Sequence, residues 1–235
     1  MGASSGIGSH LVKGLTDSFN LALHYNTSSG KVEKLISELD NTKSKIIPYK
    51  ADITNEKEVN SMVEKIKNDF GSIDVLINNA GVSIDAMTWK LSLESWQKVI
   101  DVNLTGPFLC IKHTLPVMRE NNWGRIINIS SVVASTGVPG TAAYAVSKSG
   151  LYGLTKTVSK EIAKYNITAN IISLGYFDAG MLYTIGEDIR EQIKQTIPQK
   201  EFGNPNEIVS CVKYLTSDNS KYITGQVIHI NGGLF

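Results

Sequence analysis

Tyr144 and Lys148 stand four residues apart in a segment with helical periodicity, so their side chains share one helix face. A phenol titrates near pH ~10, too high for efficient proton exchange at neutral pH. A neighbouring positive charge favours the phenolate and lowers that value. Such a pair can act as acid and base at a carbonyl or carbinol. The same spacing also occurs on helices that carry no chemistry, so context must decide. Ser130 and Ser131 directly follow the β-rich run Arg125–Ile129. Open α/β sheets bind ligands at such strand ends. A hydroxyl there either donates to a substrate oxygen or caps local backbone. Asn78-Asn79-Ala80-Gly81 follows the run Ile73–Ile77 in the same way and otherwise reads as a turn. Asn103 falls inside a long helical stretch, where it needs a partner and serves as a structural link or part of a proton relay.

Gly2, Gly6 and Gly8 have the spacing G-x-x-x-G-x-G ahead of a helical pattern. Glycines allow a tight turn and close backbone approach, and a helix N-terminus offers free N–H groups to an anion such as a pyrophosphate. A flexible Gly/Ser terminus has the same composition, so this segment alone leaves both readings open. Dinucleotide folds place an acidic residue about 20 positions on, against the adenosine ribose. Here the next strand ends His24-Tyr25-Asn26-Thr27-Ser28-Ser29, without a carboxylate. That leaves room for a 2′-phosphate and favours NADP(H) over NAD(H), with Lys31 and His24 as the nearest potential cations.

These residues need a scaffold that brings strand ends and helix starts together. Candidate strands are Asn20–Tyr25, Lys45–Tyr49, Ile73–Ile77, Arg125–Ile129, Thr168–Ile172 and Val227–Ile230. Most are continuously apolar, as in a parallel sheet covered on both faces. Pro48 places the second near an edge. Helical periodicity runs over Ile7–Leu15, Lys31–Leu39, Glu56–Asp69, Ser92–Met118, Tyr144–Tyr165 and Asn206–Leu215, with Thr54 as an expected N-cap. Strands alternating with helices imply an α/β, doubly wound, Rossmann-like parallel sheet in a single domain, 1–235. From Gly180 to Gln199, Leu182, Ile185, Ile189, Ile193 and Ile197 are spaced as one apolar helical stripe. It is either core packing or a substrate lid.

Lys plus Arg number 23 and Asp plus Glu 22, so no charge imbalance suggests nucleic acid or an anionic membrane as partner. Cys110 and Cys211 lie too far apart for a metal-ligand pair and read as buried thiols suited to a reducing cytoplasm. No apolar run is long enough to span a bilayer.

Taken in order, GASSGIG at 2–8, Asp52 in ADIT, NNAG at 78–81, Asn103 in VNLTGPF, Ser131 in IINISS, Tyr144-Ala-Val-Ser-Lys148 and the closing ITGQVIHINGG resemble the short-chain dehydrogenase/reductase family over essentially the whole chain. Within it the chain is most similar to 3-oxoacyl-acyl-carrier-protein reductases and related acetoacetyl-CoA-type reductases. The resemblance implies Tyr144 as general acid, Lys148 on the nicotinamide ribose and lowering the Tyr144 pKa, Ser131 orienting the carbonyl and Asn103 holding a water relay. It implies a cofactor groove made by Gly2, Ser4, Ser5, Gly6 and Ile7, by Tyr25 and Asn26, by Asp52 and Ile53, by Asn79, Ala80 and Gly81, and by Gly175, together with Tyr144 and Lys148. It further implies a cytoplasmic enzyme of fatty acid biosynthesis. A homotetramer or dimer built on the helices Ser92–Met118 and Tyr144–Tyr165 is expected.

Several positions depart from the family pattern. Met1 stands where the family has a Thr, and the strand that normally precedes it, central in the sheet, is missing. Two explanations compete: a start downstream of the true one, which we favour, or a shortened protein. Pro-Gly after the sixth strand reads Leu174-Gly175, the Thr that meets the carboxamide is Ala179, and a common Arg is Glu201. Asn122 and Tyr165 replace surface arginines, which leaves a CoA thioester, a sugar-derived ketone or another small ketone beside a carrier-protein thioester. A non-catalytic oligomeric or ligand-binding member and an NAD-linked alcohol or sugar dehydrogenase are the alternatives.

Overall fold

The computed structural model describes residues 1–39 and 42–235. Helices and parallel strands alternate along the chain. The first half contains α1 (Gly6–Leu15), β1 (Leu21–Tyr25), α2 (Ser29–Ser37), β2 (Ile46–Lys50), α3 (Glu56–Phe70), β3 (Val75–Asn78), α4 (Leu93–Ile100) and α5 (Gly106–Glu120). The second half contains β4 (Gly124–Ser131), α6 (Val133–Thr136), α7 (Ala142–Ile162), β5 (Ile167–Leu174), α8 (Glu187–Thr196), α9 (Pro205–Thr216) and β6 (Val227–Ile230).

All strand pairs are parallel, as the continuous apolar runs require, but they form two sheets. One holds β1 and β2, with Pro48 on its edge strand, and the other has the order β3-β4-β5-β6. Between β1 and β3 lies a cleft of about 420 Å³, walled by Leu21, Leu23, Leu76 and Ile77 and by Val12 and Ile66 of the covering helices. This is where the expected central strand would run. Among the described residues the first ones bridge it: the Met1 amino group donates to Ile77 O at 2.7 Å, and Ala3 N donates to His24 O at 3.1 Å.

The core has two faces. Ile126 and Ala169 pack with Val59, Leu109, Val117, Val158 and Ile162 from α3, α5 and α7. Ile127, Ile129 and Ile172 turn the other way, against Leu11, Leu15, Ile208 and Val212 from α1 and α9. Neighbouring strand residues thus serve opposite layers, giving the doubly wound arrangement.

Three local expectations change. The α3 N-cap is Asn55, not Thr54, with its side chain accepting from Lys57 N and Glu58 N. The long Ser92–Met118 stretch is helical throughout but loosens into a π turn at Asp101–Thr105, between α4 and α5. The Gly180–Gln199 stripe is not one helix: a 3₁₀ segment, Gly180–Thr184, is separated from α8 by extended backbone at Ile185 (φ −95°, ψ 138°). Leu182 and Ile197 are buried, but Ile189 is 54% exposed, because the break rotates the stripe out of register.

Candidate active site

β4 delivers Ser131 at its C-terminal end, and α7 begins eleven positions later and carries Tyr144 and Lys148 on one face. The Lys148 side chain is buried, and its ammonium donates to Ile129 O at 2.8 Å. It lies 5.8 Å from the centre of the Tyr144 ring. Burial lowers the Lys148 pKa to about 8.

The Tyr144 hydroxyl is within hydrogen-bonding reach of Ser131. Its pKa lies above the ordinary phenol value: burial raises it most, the Asp85 carboxylate also raises it, and the Ser131 hydrogen bond opposes them. The expected lowering by Lys148 is therefore not realised in the free protein. Desolvation of the phenolate outweighs the hydrogen bond, and the ammonium is engaged at Ile129.

Asn103 sits in the π turn and is fully buried. Its Oδ1 accepts from Val82 N at 2.8 Å, while Nδ2 donates to Val82 O at 2.8 Å and to Ser147 Oγ at 3.1 Å. Both amide hydrogens are thereby used in tying the segment after Gly81 to α7. Gly81 is held close: a Cβ there would stand 3.3 Å from Asn103 Oδ1 and 3.4 Å from Lys148 Nζ.

The glycine-rich segment forms a turn onto α1. Ser5 is the N-cap, its Oγ accepting from Gly8 N at 3.1 Å and donating to Gly2 O at 3.0 Å. Asn79 Nδ2 crosses from the end of β3 to Gly2 O (3.1 Å) and Ser5 Oγ (3.0 Å). Gly2 has φ +69°, and a Cβ on Gly8 would lie 2.1 Å from Gly2 O, so the turn closes only with glycine at both places. A backbone cradle at a helix N-terminus fits a pyrophosphate. Gly180 covers one side of it, since a Cβ on Gly6 would stand 2.2 Å from Gly180 Cα.

His24, a potential cation by its place in the sequence, is instead buried, and its pKa falls to about 4, chiefly by burial. Nδ1 accepts from Gly2 N at 3.1 Å, and Nε2 pairs with Ala51 O at 2.9 Å. The imidazole is a neutral brace under the turn, a role hidden in the sequence because both its partners are main-chain atoms. Lys31 remains exposed on α2 near Tyr25 and Asn26. Asp52 accepts from Thr54 N and Oγ1, at 2.9 and 2.8 Å, at the end of β2. The Ile53 side chain lies in the core under Gly106, so only its main chain can meet a cofactor. Ala80 packs at the core edge beside Met1. Gly175 N donates to Ile230 O at 2.8 Å, and a Cβ there would lie 2.7 Å from Asn231 Cα. Ala179 is buried and offers no hydroxyl to a cofactor amide. Ser4 and Ile7 line the same turn at the start of α1.

The residues singled out by sequence thus converge on one end of the strands. No group of His, Cys, Asp and Glu among the described residues could hold a metal ion, and no described helix is long and apolar enough to cross a membrane.

Residues 2–235 match the family described as Enoyl-(Acyl carrier protein) reductase. The chain is 38% identical over 235 residues to the 3-oxoacyl-[acyl-carrier-protein] reductase FabG of Staphylococcus epidermidis, covering 100% of this chain and 96% of that protein. It is 37% identical over 235 residues to the protein of the same name from Aquifex aeolicus, covering 100% of this chain and 95% of the relative. For that of Thermotoga maritima the identity is 38% over 233 residues, covering 99% and 95%. With these matches over the whole of the described site, the chain belongs to the short-chain dehydrogenase/reductase family and is an oxidoreductase acting on a CH–OH/C=O pair.

Proposed function

We propose that the protein is an NADP(H)-dependent reductase of a ketone, with a 3-oxoacyl thioester as substrate. The observation that carries this reading is the convergence of the Ser131 and Tyr144 hydroxyls beside the buried Lys148 ammonium. Two hydroxyls aimed at one point suit a carbonyl oxygen, which accepts two hydrogen bonds and becomes more basic as it is reduced. Tyr144 donates the proton to that oxygen, and Ser131 orients it. Lys148 holds the nicotinamide ribose and supplies the positive charge that eases loss of the Tyr144 proton. Asn103 steadies α7 against the Gly81–Val82 main chain and stands beside the route of proton resupply.

The turn from Gly2 to Gly8 and the N-terminus of α1 take the pyrophosphate, Tyr25 and Asn26 face the ribose 2′ position, and Asp52, Asn79 and Gly81 line the groove. When bound, the nicotinamide supplies the hydride. The absence of a carboxylate from Tyr25 to Ser29 supports the 2′-phosphate form, with Lys31 as the available cation. The names of the relatives support a carrier-protein-bound thioester. Exposed Leu93, Phe108 and Val146 on α4, α5 and α7 support assembly into a homo-oligomer through those helices.

NADPH oxidation with a 3-oxoacyl thioester tests the reading, run beside NADH and beside Tyr144→Phe. Turnover with NADPH that collapses in the variant is the expected result. A clear NADH preference overturns the cofactor choice, and undiminished turnover in Tyr144→Phe overturns the mechanism. The buried Ala179, which has no hydroxyl to offer a cofactor amide, favours a second reading, a ligand-binding or oligomeric member without turnover. Saturable NADPH binding without reduction of any ketone would select it.

A further inference from the structure

The separation of Ser131 from Tyr144 depends on how the turn after β4 sits on α7. That turn is α6, a single helical turn whose carbonyls have few partners of their own. Val132 O accepts from Ser135 N and Thr136 N, and Val133 O accepts from Gly137 N. The chain then leaves the helix at Gly137, with φ +66°, so Ala134 O faces outward toward α7. There the Ser149 hydroxyl meets it at 2.7 Å, while also lying 2.8 Å from Ala145 O in its own helix. Ala145 O already closes the α7 ladder, whereas Ala134 O gains a donor it otherwise lacks among the described residues. One turn further along, Tyr152 Oη lies 3.4 Å from Ser135 Oγ and 3.2 Å from Ser173 Oγ, a second and weaker tie.

Ser131 is three residues before Ala134, and Val132 N is fixed to Leu174 O on β5 at 2.8 Å. Ser149 follows Lys148 directly and Tyr144 by five positions. Hydroxyls therefore join α7 to the chain on both sides of Ser131: before it Ser130 Oγ donates to Lys148 O at 3.1 Å, and after it Ser149 Oγ donates to Ala134 O. We infer that Ser149 is a positioning residue for the reaction: its hydrogen bond to Ala134 O sets the distance at which the Ser131 and Tyr144 hydroxyls share the substrate oxygen. This rests on the ketone-reductase reading, but its geometry does not.

Ser149→Ala leaves Ala134 O without its donor and lowers melting modestly, so kcat is read well below the melting temperature, where the fold is fully populated. With NADPH and a 3-oxobutanoyl thioester, kcat falls about tenfold, the scale expected when reacting groups drift by a fraction of an ångström. The KM for NADPH stays constant, since no cofactor contact is removed. Ser149→Thr keeps the hydroxyl and restores turnover. A second readout needs no turnover: the phenolate absorbance of Tyr144, isolated by subtracting the Tyr144→Phe spectrum, titrates at higher pH in Ser149→Ala as the Ser131 hydrogen bond loosens. Unchanged kcat together with an unchanged titration overturns the inference, as does a loss that follows a lowered melting temperature and is not recovered by threonine. A wild-type chain that binds NADPH but reduces no ketone overturns the reductase reading instead, and the Tyr144 titration still decides the role of Ser149.

Discussion

The Lys148 ammonium donates to Ile129 O across 2.8 Å, two residues before Ser131 on the same strand. Helix α7 is thus tied to the strand end that it must face. The ammonium is held in a buried place next to the phenol, 5.8 Å from the ring centre, rather than free in solvent.

This burial has a pH signature. The Lys148 pKa is lowered from 10.5 to about 8, so between those values the unfolded chain binds more protons than the folded one. Stability therefore rises as pH increases through about 8 toward 10.5, and the burial cost is fully present below 8. Lys148→Met removes this rise. Melting curves between pH ~7.5 and ~10, wild type against variant, check it.

Tyr144→Phe removes the acid without removing the ring. Turnover falls by about 10²–10⁴, the usual contribution of a positioned proton donor. NADPH affinity, read by fluorescence titration, changes little. A parallel loss of affinity would place Tyr144 in binding rather than in chemistry.

His24 gives an acid limb. Its pKa is about 4 in the fold against 6.5 ordinarily, so the stability it lends is present above pH 6.5 and is lost as pH falls toward 4. The whole effect is on the order of 3 kcal/mol, since each pH unit separating the folded and unfolded values is worth about 1.4 kcal/mol. His24→Leu should flatten melting temperature against pH across this window and weaken NADPH binding, because Gly2 N loses its acceptor. An unchanged acid limb in the variant would show that another group governs it.

The cleft between β1 and β3 can be filled. Joining an extended apolar segment of about five residues to Met1 lets one strand pair with both open edges, at ~3.3 Å per residue. A net gain of about 3 kcal/mol raises the melting temperature by about 6–12 °C in a chain of this size. A Gly/Ser segment of equal length, which buries nothing, serves as the control and should leave it unchanged.

Gly6→Ala drives a Cβ to 2.2 Å from Gly180 Cα, an impossible contact between two backbones. The 180–184 segment must move away. Cleavage by trypsin at Arg190 and Lys194, on α8, should quicken, and NADPH binding should weaken as the cradle distorts. Unaltered cleavage would mean that α8 is positioned independently of Gly6.

Much of the site is legible in the sequence because it depends on short-range geometry. Four residues of helix put Tyr144 and Lys148 on one face wherever the helix lies, and the apolar run before Ser131 marks a strand end. The boundaries of β4 and β5 extend the expected runs by one residue at the start and two at the end, through Gly124, Ser131, Ile167 and Leu174, which carry the strands to their turns. The 180–199 stripe misleads because periodicity registers spacing and not continuity: extended Ile185 breaks the helix while leaving every apolar interval intact.

Residue order alone specifies the alternation of strand and helix, the glycine turn and the order in which the reactive groups reach the strand ends. Those follow from backbone sterics and from periods of two and 3.6 residues, which act within a few neighbours. Folding in three dimensions adds the rest: His24 is a neutral brace instead of a cation, the Lys148 ammonium rests on Ile129, and Ser149 fastens the Ser131 turn to α7. Each is a hydrogen bond between segments far apart in the chain. Its strength depends on burial and on distances of a few tenths of an ångström, which no local pattern encodes.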